Sequence, residues 1–177
     1  MTVLKLYTYP VPILKKKAQK VDKVGDEIRQ LLDDMLETMY ADGGVGLAAP
    51  QIGVSKRIVV IDVEQKSDEE SGEVIKGKPL FLVNPEIIWH SDEIVCGEEG
   101  CLSVPKQRAE VERHAQVRVH YTDYNGQEQE ISGEGLLAVC LQHELDHLDG
   151  ILYIDRISRL KRQMIVKKLQ KKKNEEE

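Results

Sequence analysis

The sequence predicts an α+β fold: mostly antiparallel strands packed around a central HExxH helix, with an N-terminal helix and a C-terminal helix. Three observations predict it. Strand-like and helix-like segments do not follow each other in regular βαβ alternation, which argues against a parallel sheet. The stretch "AQVRVHYTDYNGQEQEIS" (Ala115–Ser132) alternates Val117, Val119 and Tyr121 ahead of an Asn125-Gly126 turn, the pattern of a hairpin. The segment from about Gly133 to Asp149 has helical periodicity with apolar residues on most of its sides, so it is expected to run through the core.

Each element follows in chain order. From Ile28, apolar residues recur at Leu31, Leu32, Met35, Leu36 and Met39, the spacing of an amphipathic helix, and Gly43-Gly44 stops it. "RIVVIDV" (Arg57–Val63) reads as a buried strand. The acidic segment from Glu64 to Lys78 reads as a solvated loop. "PLFLVNPEIIW" (Pro79–Trp89) is a strand whose Asn84-Pro85 implies an edge or a bulge. After the hairpin and the central helix, ended by Gly150, a third helix runs from about Ser158 into a charged tail.

The 177 residues are expected to form one domain, 1–177, whose last part, about 156–177, is a basic helix and tail. No run of about 18 apolar residues exists to span a membrane. "MTVLKLYTYP" lacks a secretory pattern, so a cytoplasmic location is expected. Three cysteines, Cys96, Cys101 and Cys140, with no CxxC, read as free thiols or ligands in a reducing compartment. The net charge of −6 argues against wholesale coating of nucleic acid, although from Arg156 to Lys173 there are nine Lys or Arg and no acidic residue.

Chemistry concentrates in "LQHELDHLDG" (Leu141–Gly150). Residues four apart in a helix share a face about 6 Å apart along the axis, so His143 and His147 can meet one metal ion. The bland alternative is two core histidines bonded to backbone. An open catalytic metal site needs a third protein ligand, and "EEGCLSVP" (Glu98–Pro105) offers Cys101. Its alternative is a small buried hydrophobe, which fits Cys96 and Cys140 better. Cys140 is read as pocket wall, because a third ligand on the same helix would crowd the first two. In "GGVGLAAPQIG" (Gly43–Gly53) the small residues imply backbone packed close to a ligand or another strand, and Gln51 is the polar exception. That stretch lacks the Lys-Ser/Thr of a phosphate loop.

Together, "GVGLAAPQ", "EGCLS" and "QHELDH", in this order and spacing, resemble the peptide deformylase family, and the basic C-terminal helix resembles its bacterial type I branch. The resemblance implies removal of the formyl group from the N-terminal formylmethionine of new polypeptides, releasing formate. It implies Cys101, His143 and His147 as metal ligands and Glu144 as general acid and base. Gln51 and the backbone N–H of Leu102 would hold the developing oxyanion. Val45, Leu136, Val139 and Cys140 are expected to line the pocket for the methionine side chain, with Glu99 near its mouth. Gly46, beside Val45, and Gly100 would pair with the extended peptide, and Arg108 would meet its downstream part or stay an exposed surface arginine.

The cofactor implied is one divalent metal ion, iron(II) in the cell, with zinc, nickel or cobalt also suited to a thiolate and two imidazoles. The partners implied are N-formylmethionyl nascent peptides and, through the basic helix, the ribosome. No membrane partner is expected, and the chain is expected to be a monomer. The stripe Ile157, Leu160, Met164, Ile165 and Leu169 would dock that helix on the domain. The competing class is an HExxH zinc endopeptidase, which requires a third ligand downstream of His147.

Overall fold

The computed structural model describes residues 2–176; residues 1 and 177 of the expected domain lie outside them. The strands are β1 (Gly46–Ala48), β2 (Ile58–Ile61), β3 (Lys66–Ser67), β4 (Val74–Ile75), β5 (Leu80–His90), β6 (Ile94–Cys101), β7 (Val104–His114), β8 (Gln116–Thr122) and β9 (Glu128–Glu134). The helices are α1 (Asp26–Ala41), α2 (Gly135–Leu148) and α3 (Arg159–Glu176). One five-stranded sheet has the order β1-β2-β5-β8-β9, and its neighbours all pair antiparallel. The pairs β3-β4 and β6-β7 form two smaller sheets.

The sheet is covered on both faces. Val59 and Ile61 face α2 with Leu141, Leu145 and Leu148, while Ile58 and Val60 face α1 with Leu32, Met35 and Met39. All four β2 residues are therefore buried, which explains why that strand reads as an unbroken apolar run. A third apolar cluster joins Val104 and Val111 of β7 to Leu152, Tyr153 and Ile154 and to Ile165 of α3. It fixes the β6-β7 arm beside α2. Among the described residues, no helix is long and apolar enough to cross a membrane.

One open alternative is decided, two expectations need correction, and one hairpin was missed. Asn84-Pro85 does mark a bulge, between Val83 and Glu86, but β5 lies in the middle of the sheet and not at its edge. Asn84 takes φ 51° there, and its amide exchanges two 2.8 Å hydrogen bonds with the backbone of Val21. The acidic segment 64–78 is not all loop: β3 and β4 pair within it around a turn held by Asp68. The β6-β7 hairpin was not expected. On α3, Leu160 and Met164 are exposed, and docking falls to Ile157, Ile165, Val166 and Leu169.

Candidate active site

Three elements converge. The first is β1 with the 3-10 turn Ala49–Ile52 that follows it, the second is the end of β6, and the third is α2. Between them lies a cavity of about 570 Å³ whose wall includes Gly46, Gln51, Cys101, Leu102, His143 and Glu144. Cys101 closes β6 at the two-residue turn to β7, where it pairs with Val104 after a register shift. The turn aims its sulfur at α2. Sγ stands 3.3 Å from Nε2 of His147, and one donor atom each from Cys101, His143 and His147 lie within 4.8 Å of one another. This is the one such group of histidine, cysteine or acidic side chains among the described residues.

The histidines are oriented from behind. His143 Nδ1 lies 2.8 Å from Oε1 of Glu99. The Arg113 guanidinium grips Glu99 through Nε and a terminal nitrogen at 2.8 and 2.9 Å. Burial works to raise the Glu99 pKa, but the bonds from Arg113 and His143 prevail and hold it at about 2. An ionised Glu99 must accept, so Nδ1 of His143 donates to it, and Nε2 is the nitrogen that would bind a metal once its proton is displaced. Burial and the nearby positive charges of His143 and Arg113 hold His147 well below the usual imidazole range, in its neutral form.

Glu144 lies between the histidines in sequence but points elsewhere, as a side chain turned about 100° around the helix must. It is buried, and its Oε2 has no hydrogen-bond partner. Burial, reinforced by the charges of Glu99 and Asp146 and opposed by His143 and Arg113, pushes its pKa up to about 7. A Cβ added to Gly46 would stand 2.5 Å from Oε1 of Glu144, so only glycine lets β1 pass this carboxylate. Gln51 is also buried. Its Oε1 accepts from Ala48 N–H at 2.9 Å, and its Nε2 donates to Ser103 Oγ at 3.2 Å and toward Cys101 Sγ at 3.5 Å. The N-terminal arm braces this corner, with Ser103 Oγ donating to the Tyr7 carbonyl at 2.8 Å.

The donor set suits a divalent metal of the first transition row: one thiol and two imidazoles, backed by a fixed carboxylate. The unpartnered Glu144 oxygen lies beside those donors without belonging to their group, as a proton carrier would.

The remaining expected residues divide clearly. Val45, Gly46, Gly100, Leu136, Val139 and Cys140 all line the cavity. Cys140 is buried, and burial, then the charges of Glu144 and Glu99, push its thiol up to about 12, so it remains a protonated wall. Arg108 also lines the cavity but is exposed and paired with Glu98 at 2.6 Å. Glu99 also lines the cavity, as expected, but its carboxylate is buried against His143 and Arg113 and is not exposed at a mouth. The endopeptidase alternative expected a third donor after His147; the third donor that the fold supplies, Cys101, comes before it.

Arg113 and Asp146 were not expected. Asp146 and Gln142 are polar residues of α2, and both are buried. The signal for Arg113 was the alternation Ala109, Val111, Arg113, which puts the arginine on the inward face of β7.

Residues 3–163 match the family model described as polypeptide deformylase. The peptide deformylase of Phenylobacterium zucineum is 51% identical over 171 residues, covering 97% of each chain. That of Orientia tsutsugamushi is 51% identical over 174 residues, covering 97% of this chain and 96% of its own. Among solved structures, the peptide deformylase of Ehrlichia chaffeensis superposes with a TM-score of 0.89 at 43% identity, covering 99% of both chains. Its complex with actinonin gives 0.88 at 44% identity, covering 97% of this chain and 98% of that one. The likeness runs from the N-terminal arm into α3, through every strand and helix that shapes the cavity, and this chain belongs to the polypeptide deformylase family of metal-dependent enzymes.

Proposed function

We propose that this chain hydrolyses the N-terminal formamide of formylmethionyl nascent peptides, releasing formate and a free methionine amine. One observation carries the reading of the site. A buried carboxylate with an unpartnered oxygen shares the wall of one cavity with Cys101 and His143, and these two converge with the buried His147 into one set of three donors.

Cys101, His143 and His147 hold the metal. A divalent ion bound there polarises the formyl carbonyl and acidifies water, so that a nucleophile exists at neutral pH. Glu144 takes the proton from the attacking water and returns it to the departing nitrogen as the C–N bond breaks. A group with a pKa near the working pH serves both halves of that transfer, and the burial that pushes Glu144 up to about 7 supports this role. Gln51 and the Leu102 N–H hold the carbonyl oxygen as charge grows on it. The hydrogen bond from Ala48 to the Gln51 carbonyl supports the amide orientation that this task needs. Val45, Leu136, Val139 and Cys140 receive the methionine side chain, Gly46 and Gly100 pair with peptide backbone, and Arg108 meets its downstream part.

The ion in the cell is assigned as iron(II), with zinc, nickel and cobalt as alternatives the donors accept. The enzyme works as a monomer in the cytoplasm, where formylated chains emerge. The basic C-terminal helix contacts ribosomal RNA phosphates through Lys167, Lys168, Lys171, Lys172 and Lys173. The test is formate release from a short formylmethionyl peptide by chain loaded anaerobically with iron(II). Loaded chain that releases no formate would overturn the proposal.

A further inference from the structure

Behind the metal donors runs a continuous line of buried charge that ends at the surface. Asp146 lies on α2 three residues after His143. Its Oδ2 accepts from an Arg113 terminal nitrogen at 2.7 Å and from Arg156 Nε at 2.6 Å, and its Oδ1 accepts from an Arg156 terminal nitrogen at 2.7 Å. Arg113 grips Glu99 with its other nitrogens, and Glu99 holds His143. Arg113 is 4% exposed and Asp146 8%, whereas the Arg156 side chain is 43% exposed. Arg156 stands three residues before α3 and does not line the cavity.

We propose that Arg156 is a positioning residue for the metal site, acting through Asp146, Arg113 and Glu99 on the ring of His143. The argument is geometric. A bidentate guanidinium fixes the plane of a carboxylate. With Arg156 in place, Asp146 is held in one plane and presents one oxygen to Arg113. Arg113 then keeps both remaining donors on Glu99, and the imidazole stays in one orientation. Without Arg156, Asp146 is free to turn, and the single bond from Arg113 no longer fixes it. The disturbance reaches His143 through groups too buried for water to replace the lost bond. The inference rests on the assignment of Cys101, His143 and His147 as metal ligands.

The test compares Arg156→Gln, Arg156→Lys and Arg162→Gln. Arg162 pairs with Asp155, outside the line, so Arg162→Gln removes the same charge without touching Asp146. Each chain is loaded with cobalt(II). The readouts are the rate of cobalt loss to a chelator, the thiolate-to-cobalt absorption band and the split between kcat and KM. Removing an outer partner of a metal ligand costs about 10–100-fold in affinity, and Arg156→Gln should lie near the low end, about tenfold. Its absorption band should shift, and kcat should fall while KM holds. Arg156→Lys should recover part of the loss, because lysine restores charge but not the fork. Arg162→Gln should match the parent chain. Cobalt loss and absorption unchanged in Arg156→Gln, even with a lower Tm, would overturn the proposal, as would equal cobalt loss from Arg162→Gln. A parent chain that takes up no cobalt removes the ligand assignment and this inference together, and formate release plays no part in that outcome.

Discussion

Helix α2 buries ten of its fourteen residues, five of them polar or charged; on the eighteen-residue α3, among the described side chains, only Ile165 is buried. On α2, Gln142 bonds the backbone of His114 and Ala138, Asp146 is gripped by two arginines, and His143 is held by Glu99. On α3 the charges stand in water, as in the loose pair Lys171–Glu175 at 4.0 Å. Where water is excluded, a polar atom without a partner is costly, and Glu144 Oε2 and His147 Nδ1 are such atoms. Where water is present, partnership carries little information. Charge on α2 therefore marks chemistry, whereas charge on α3 can only mark a surface.

The most severe break of this contrast is Glu144→Ala. Formate release should fall about 10²–10⁴-fold, the range for a lost proton carrier, while bound metal is retained. Loss of metal from that variant would make Glu144 a ligand instead. Removing the Arg113 charge comes next: Arg113→Leu strips the buried Glu99 of its guanidinium and leaves Asp146 with Arg156 alone, which should cost about 3–5 kcal/mol in denaturant unfolding, against no measurable change for Lys171→Gln.

Sulfur sharpens the comparison within the site. Cys101→Ser should strip metal readily, because a hydroxyl is a poor substitute for thiolate. Cys140→Ser should keep the metal and alter methionine selectivity. Equal metal loss in the two variants would erase the distinction between ligand and wall.

On α3, replacing Lys167, Lys168, Lys171, Lys172 and Lys173 with Gln should weaken ribosome binding in a salt-dependent way. Hydrolysis of a short formylmethionyl peptide should stay near normal. Unchanged ribosome binding would leave the helix as a solvated face only.

The smallest effect expected is at the junction of the two helices. Burial tends to raise the Asp155 pKa, but bonds from Lys15, the Leu152 N–H and Arg162 lower it below the ordinary 3.8. A carboxylate with a depressed folded pKa adds stability that is full above its unfolded pKa and lost as pH falls through the folded one. Asp155→Asn should therefore flatten the acid limb of the stability curve below about pH 3.8 and leave neutral pH activity alone. An unchanged acid limb would assign that pH dependence elsewhere.

Elements with one regular period were legible from the sequence: α1, β2, the β8-β9 hairpin and α2. The β6-β7 arm was not, because β6 is "IVCGEEGC", whose first five residues are exposed, and because β7 carries a proline and hides an arginine among its inward positions. The same concealment explains Glu99. A carboxylate next to a glycine reads as surface until its partner, fourteen residues away, is known to face inward. Cys101, His143 and His147 were legible because their spacing and residue types carry the chemistry directly. The arginines behind them were not, since a buried ion pair has no period of its own. On α3 the apolar residues are real but their facing is set by the β7 surface, so Leu160 and Met164 fell on the wrong side.

The closeness of Gly46 to Glu144 has a consequence for drug resistance. A compound that fills this cavity by pairing with the β1 edge leans on a position where every alternative residue brings a Cβ into the buried carboxylate. Escape from such a compound should appear at Val45, Leu136 or Val139, where side-chain size can change, and not at residue 46. A resistant strain carrying Gly46→Ala with full formate release would show that Glu144 has room to yield.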